Sequence, residues 1–95
     1  MNLTSKEAEQ YTNGKSTKEW QANGIAIDTR ALQHGNLFVA LNGNNTSGYN
    51  FIKEALKNGA VAAVVNKKEV KLEDTNYPLL IVEDTKKALI DLAKG

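Results

Sequence analysis

Three short apolar runs constrain the fold of this chain more than any other feature. They lie at residues 37–41, 61–65 and 79–82 and consist of Leu, Val, Ala, Ile and Phe. An apolar run without polar alternation is typical of a strand that is covered on both faces. The runs therefore predict an α/β fold, in which a small mixed β-sheet is flanked by helices in three layers or nearly so.

Helices are predicted between and after these strands. One is indicated by apolar residues at helical spacing, and Asn58–Gly59 is expected to end it. Those apolar residues are Phe51, Ile52, Ala55 and Leu56. With the runs on either side, this helix makes a βαβ unit. Asp84 is expected to cap a last helix that faces the core through Ala88, Leu89 and Leu92.

The first third of the chain is less regular. Thr4 and Glu7 fit a capping box for a helix over residues 5–11, which Asn13–Gly14 should stop. Residues 15–20 fit a strand or an extended arm. Residues 24–29 predict a strand with one buried face through Ile25 and Ile27, and residues 33–36 predict a turn.

Composition limits the classes of function. The 95 residues, of which 41% are hydrophobic, suit a single domain over residues 1–95. The net charge of +1 gives no electrostatic reason to expect nucleic acid or an anionic membrane as a partner. The lack of Cys and the single His exclude disulfides and Cys/His zinc sites. The apolar runs are too short for membrane insertion and the N-terminus is polar, so we expect a cytoplasmic, monomeric domain.

One phosphate-binding motif is misleading. Residues 14–17 read Gly-Lys-Ser-Thr, which is how a P-loop ends. A P-loop also needs a glycine where Glu9 stands, a strand before the motif and a helix after it. We expect a helix end followed by polar residues instead.

Two polar segments are the candidate ligand-binding elements. Asp28-Thr29-Arg30 follows a predicted strand, where ligands collect in α/β sheets, and Arg30 is the only arginine in the sequence. The alternative for this segment is a surface ion pair or a turn cap. The loop over residues 42–48 offers uncharged donors and acceptors suited to a sugar, a uracil edge or a diphosphate. The alternative for this loop is an ordinary solvated loop with no ligand. Trp20 could also contact a ligand, but we expect it in the core.

The ordered segments together resemble a known family. The residues 27–30 (Ile-Asp-Thr-Arg), 35–43, 48–52 (Gly-Tyr-Asn-Phe-Ile), 58–65 and 82–93 follow the pattern of the N-terminal domain of the Mur ligases. These enzymes add amino acids or dipeptides to the UDP-linked peptidoglycan precursor. The resemblance runs from about residue 24 to residue 93 and rests on the order and spacing of the segments.

This resemblance implies a domain that docks the UDP part of a UDP-MurNAc-peptide, within a ligase whose other domains perform the chemistry. By position, Ile27 and Thr29 would lie against the uridine, and Asn44, Asn45 and Thr46 would line the nucleotide loop. Arg30 and Asn42 are further candidates near the same pocket. ATP and Mg²⁺, used to activate the substrate carboxylate as an acyl phosphate, would act in the full-length parent, and this chain alone is expected to be inactive.

The sequence also departs from the family pattern. Asn42 stands where the family usually has Lys, Asn44 where Glu is frequent, and Ser47-Gly48-Tyr49 where Asp-Gly-His is usual. Thr29 and the Asp84-Thr85 ending resemble members that add D-Ala-D-Ala to UDP-MurNAc-tripeptide. Two alternatives stay open: the sister ligase that adds diaminopimelate or Lys as third residue, and a non-catalytic α/β interaction module.

Overall fold

The computed structural model describes residues 2–41 and 48–94. Its strands and helices follow in chain order: β1 (Leu3–Thr4), α1 (Ser5–Thr12), β2 (Lys15–Ser16), β3 (Gln21–Ala22), β4 (Gly24–Ala26), β5 (Asn36–Val39), α2 (Gly48–Lys57), β6 (Ala62–Asn66), β7 (Leu79–Val82) and α3 (Thr85–Lys94). Two short 3-10 helices, Thr29–Ala31 and Leu72–Asn76, lie in the connections before β5 and β7.

Five strands form the central sheet in the order β2-β7-β6-β5-β4. Strands β4 to β7 are parallel, and β2 runs antiparallel along β7. Phe38 is in register with Ala63. The predicted mixed α/β sheet is thus confirmed. Strands β1 and β3 form a separate antiparallel ribbon that was not predicted from the sequence.

Alternate residues of each strand enter two different cores. Leu37 and Val39 pack with Ala8 of α1 and Leu92 of α3 on one face of the sheet. On the other face, Phe38 packs with residues of α2, including the fully buried Ala55. Because side chains alternate along a strand, each central strand must be apolar on both faces. The sheet is therefore the middle layer of three, as predicted.

The predicted helix boundaries are confirmed where capping residues marked them. The Thr4 N–H donates to Glu7 Oε1 at 3.0 Å, and the Glu7 N–H donates to Thr4 Oγ1 at 3.2 Å, which completes the capping box. Asn13 ends α1 in the left-handed conformation with φ 59°. Asp84 Oδ1 accepts the Lys86 and Lys87 N–H groups at 2.9 and 3.2 Å at the start of α3.

The prediction for β4 was wrong in its length and in placing Ile27 on the buried face. The strand ends at Ala26, which is buried, and Ile27 beyond it is 53% exposed, whereas Ile25 is half-buried and packs against the core as predicted. Strand β4 is an edge strand that pairs only with β5 in the sheet, so its last residues leave the sheet earlier than the apolar pattern suggests. Ile27 consequently lies at the surface.

A polar network joins the connections at the amino end of the parallel strands. Asn36 Nδ2 donates to Asn23 Oδ1 at 3.0 Å, and Asn36 Oδ1 accepts the Gln33 N–H at 3.0 Å. Gly35, with φ 91°, donates its N–H to the Gly59 carbonyl at 2.8 Å. This network fixes the predicted turn over residues 33–36 against the end of α2.

The segment that follows α1 is tied to the last strand. Thr17 Oγ1 donates to the Tyr77 carbonyl and accepts the Leu79 N–H at 2.9 Å, and the Thr17 N–H donates to the Leu79 carbonyl at 2.9 Å. Residues 14–17 therefore continue from a helix end into a strand, so the P-loop interpretation is excluded as expected. Trp20 is buried in the core, also as expected.

Candidate functional site

An open cavity of about 380 Å³ lies at the carboxyl end of β4 and β5. It is lined by Ile27, Asp28, Thr29, Arg30, Phe38, Ala40 and Leu41. Parallel strands end at the same edge of a sheet, and ligands of open α/β sheets bind outside that edge. Its volume falls in the range of small-molecule pockets.

The cavity combines an apolar wall with a polar rim. Phe38 is buried, Ala40 and Leu41 are half-buried, and Ile27 presents most of its side chain to solvent. Thr29 adds a hydroxyl that can donate and accept hydrogen bonds. A flat, partly polar ring can therefore lie against the apolar wall while its polar edge bonds at the rim.

Asp28 and Arg30 form an ion pair at the rim. Arg30 Nη2 lies 3.2 Å from Asp28 Oδ2, and Asp28 Oδ1 accepts the Arg30 backbone N–H at 2.9 Å. The side-chain hydrogen bond from Arg30, followed by its backbone N–H, lowers the pKa of the Asp28 carboxyl below its ordinary value. The same side-chain bond raises the pKa of the Arg30 guanidinium. The ion pair and turn cap considered as the alternative for this segment are thus present.

The structure brings part of the predicted site together. Ile27, Thr29 and Arg30 line one cavity, whereas Asn42, Asn44, Asn45 and Thr46 lie outside the described residues. The wall formed by Phe38, Ala40 and Leu41 was not predicted. Residues 37–41 were predicted as one buried strand, whereas β5 ends at Val39 and the half-buried Ala40 and Leu41 line the cavity.

Other surface cavities have different linings. One of about 280 Å³ lies between α1, β7 and α3 and is lined in part by Glu83, Asp84, Asp91 and Lys87. Another, of about 450 Å³, lies beside Trp20 and the start of α1. Neither contains a residue singled out from the sequence as ligand-binding. The carboxyl-end cavity, defined by its seven lining residues above, is the one where position in the sheet and residue chemistry agree.

Across the described ranges 2–41 and 48–94, the chain holds no group of three His, Cys, Asp or Glu side chains suited to a metal ion. Residues 15–16 form a strand where a P-loop requires a helix. The Gly-Lys-Ser-Thr segment is therefore not a P-loop. In the same ranges, none of the helices has the length and apolar character needed to cross a bilayer.

Comparison with known proteins gives a family match over most of the chain. Residues 21–95 match the model described as "Mur ligase family, catalytic domain". A UDP-N-acetylmuramoyl-tripeptide--D-alanyl-D-alanine ligase of Bacillus subtilis is 39% identical over 73 residues, which are 77% of this chain and 16% of that protein. A UDP-N-acetylmuramoyl-L-alanyl-D-glutamate--2,6-diaminopimelate ligase of Aquifex aeolicus is 39% identical over 69 residues, 73% of this chain and 14% of that one.

Solved structures show the same fold. A crystal structure of MurF from Acinetobacter baumannii superposes with a TM-score of 0.76 at 28% identity, over 97% of this chain and 20% of that one. This chain therefore spans about a fifth or less of the length of the proteins it matches.

Proposed function

The chain belongs to the Mur ligase family, and on that premise we propose that it docks the UDP part of a UDP-MurNAc-peptide. In the full-length ligase, we propose, this docking serves the ATP-dependent addition of D-Ala-D-Ala to UDP-MurNAc-tripeptide in peptidoglycan synthesis. The partners would be this soluble substrate and the remaining domains of the same polypeptide, in a cytoplasmic monomer without nucleic acid.

The observation that carries the proposal is the carboxyl-end cavity. Its apolar wall suits the face of a uracil ring, and a ring lying there would have the Thr29 hydroxyl and backbone groups of residues 27–30 at the cavity rim as hydrogen-bond partners for its edge. The proposed contacts are Ile27 and Thr29 with the uridine, Arg30 at the rim, and Asn42, Asn44, Asn45 and Thr46 in the sequence that follows β5.

This chain's proposed part in the reaction is binding and orientation. A substrate held by its UDP end can place its peptide end only within a limited region. This positioning lowers the entropic part of the activation barrier of the ligation reaction. Residues 15–16 form a strand where a P-loop requires a helix, so the Gly-Lys-Ser-Thr segment offers no phosphate-binding loop for ATP. We therefore assign ATP and Mg²⁺ to other domains of the full-length ligase and expect no turnover from residues 1–95 alone.

One second candidate function has a specific observation in its favour. The Aquifex aeolicus relative, named for diaminopimelate addition, is as similar to this chain as the Bacillus subtilis one. The two candidates share UDP docking and differ in the acceptor. Product analysis of the full-length enzyme with D-Ala-D-Ala, diaminopimelate and Lys offered separately distinguishes them.

An amide NMR titration of the 95-residue chain tests the docking function. UDP and UDP-MurNAc should shift the amides of residues 27–30 and 42–48, and ATP should leave them unchanged. If the wild-type spectrum stays unchanged at millimolar UDP and UDP-MurNAc, the domain does not dock this ligand by itself, and the interaction-module alternative gains support.

Two isoleucines give a matched pair of variants. Ile27 in the cavity and Ile90 on α3 are 53% and 51% exposed, so Ile27→Ala and Ile90→Ala remove similar exposed apolar area. Burying part of an Ile side chain against a ligand contributes about 1 kcal/mol, or roughly fivefold in affinity. Ile27→Ala should weaken UDP-MurNAc binding by about that factor, and Ile90→Ala should not change it. Equal effects would argue against this cavity.

A further inference from the structure

We infer that Arg30 is a positioning residue of the carboxyl-end cavity that acts through Asp28 and makes no bond to the phosphates of the ligand. Its guanidinium holds the Asp28 carboxylate, and this carboxylate holds the turn that presents Ile27 and Thr29. The inference rests on the proposed uridine docking and specifies how one residue of that site works.

Both oxygens of the Asp28 carboxylate are engaged by Arg30. Oδ1 accepts the Arg30 backbone N–H at 2.9 Å and lies 3.4 Å from Nε, and Oδ2 lies 3.2 Å from Nη2. The Asp28 carbonyl also accepts the Ala31 N–H at 3.0 Å. Asp28 is thus the N-cap of the 3-10 helix Thr29–Ala31, and the Arg30 side chain fixes the capping carboxylate from its other side.

This arrangement orders a segment that has little other support. The 3-10 helix has three residues, none of them buried. A segment this short cannot hold its conformation by packing, so the cap and the planar two-point contact of the guanidinium supply the order. Thr29 and Ile27 flank the capping residue and line the cavity, so ordering the cap pre-orders the binding surface.

The electrostatics of the pair disfavour a direct phosphate contact. The Arg30 side chain is 90% exposed and the Asp28 side chain is 45% exposed. The two charges lie within hydrogen-bond distance and sum to zero, and solvent and salt screen what field remains. A diphosphate near the rim would meet the Asp28 carboxylate together with the guanidinium, so the pair attracts it weakly.

A comparison of uridine with UDP tests this inference. A positioning role affects binding of the nucleoside part. Arg30→Ala should therefore lower the affinities for uridine and UDP by the same factor, about two- to fivefold, as expected for an exposed ion pair. If Arg30 instead made a direct charge-assisted bond to phosphate, its loss would lower the affinity for UDP by more than about tenfold and leave the affinity for uridine unchanged. The second pattern would overturn the inference. NMR titrations with each ligand measure both factors.

Arg30→Lys separates geometry from charge. Lysine keeps the positive charge but cannot make the planar two-point contact. If Arg30 positions Asp28, this variant should lose as much uridine affinity as Arg30→Ala. Full rescue of UDP affinity by lysine would overturn the inference, because charge alone would then suffice. Lys86→Ala, at an exposed position on α3, controls for the loss of one positive charge.

A pH profile of uridine binding adds a readout that a purely structural role would not move. Arg30 lowers the pKa of Asp28, so the wild type should keep its uridine affinity to lower pH than Arg30→Ala, whose loss of affinity should begin nearer the ordinary aspartate pKa. Identical profiles would refute the coupling. A wild type that binds neither uridine nor UDP would instead refute the proposed docking function itself.

Discussion

The polar network at the amino end of the strands makes Asn36→Ala the most informative stability variant. Asn36 is 9% exposed, and its side chain makes two hydrogen bonds, one to Asn23 Oδ1 and one from the Gln33 N–H. A typical intramolecular hydrogen bond contributes about 1 kcal/mol net. Both lost partners lie in exposed residues and can bind water, so no large desolvation penalty is added. We expect a loss of about 2 kcal/mol.

Urea unfolding followed by circular dichroism measures this loss. In a domain of this length, about 2 kcal/mol also lowers Tm by roughly 10 °C. The matched control is Asn76→Ala, because the exposed Asn76 side chain makes one hydrogen bond, to the Glu73 carbonyl, within a 3-10 helix. The control should change the free energy of unfolding by less than about 0.5 kcal/mol. If the two variants unfold at the same urea concentration, the network does not stabilise the fold.

Three further predictions concern local structure. Thr4→Ala removes the hydroxyl that accepts the Glu7 N–H and should cost about 1 kcal/mol in urea unfolding; an unchanged midpoint would contradict the role of this cap. Gly35→Ala should destabilise by more than about 1 kcal/mol in the same assay, because φ is 91° and the new Cβ would lie 2.8 Å from Asn23 Cγ; wild-type stability would refute this. The pKa of the Asp28 carboxyl is lowered in the folded state, so this group stabilises the fold above the ordinary aspartate pKa and loses that contribution as the pH falls through the lowered pKa. Carboxyl NMR should show Asp28 titrating below the ordinary aspartate pKa. A midpoint at the ordinary pKa would contradict the ion pair.

The sequence predicted the parts of the fold that are determined by local pattern. Strands β5, β6 and β7 are central and covered on both faces, so their apolar runs could belong to few other structures. The capping residues Thr4, Asn13 and Asp84 marked helix ends because each satisfies backbone groups within a few residues of its own position. The ribbon of β1 and β3 depends instead on pairing Leu3 with Ala22, and two-residue strands carry no periodicity.

The position of the candidate site could be predicted from the sequence, but its local geometry could not. The rule for strand ends indicated residues 27–30, because it needs only the order of strands. It could not give the exposure of Ile27, which depends on β4 lying at the edge of the sheet and ending at Ala26. The Asp28–Arg30 ion pair was an open alternative in the sequence, since only the turn geometry decides whether side chains two residues apart meet.

The tie between Thr17 and β7 has a consequence for how the chain folds. Its hydrogen bonds join residues 60 and 62 positions apart, and β2 lies at the outer edge of the sheet beside β7. During synthesis β2 leaves the ribosome before β7, yet it has no strand to join until β7 has been made. Closing so long a loop is entropically costly, and contacts of this separation slow folding. Strand β2 is thus made well before it can be incorporated into the sheet, and shortening the chain to the family match at residue 21 would leave β7 as an unprotected edge.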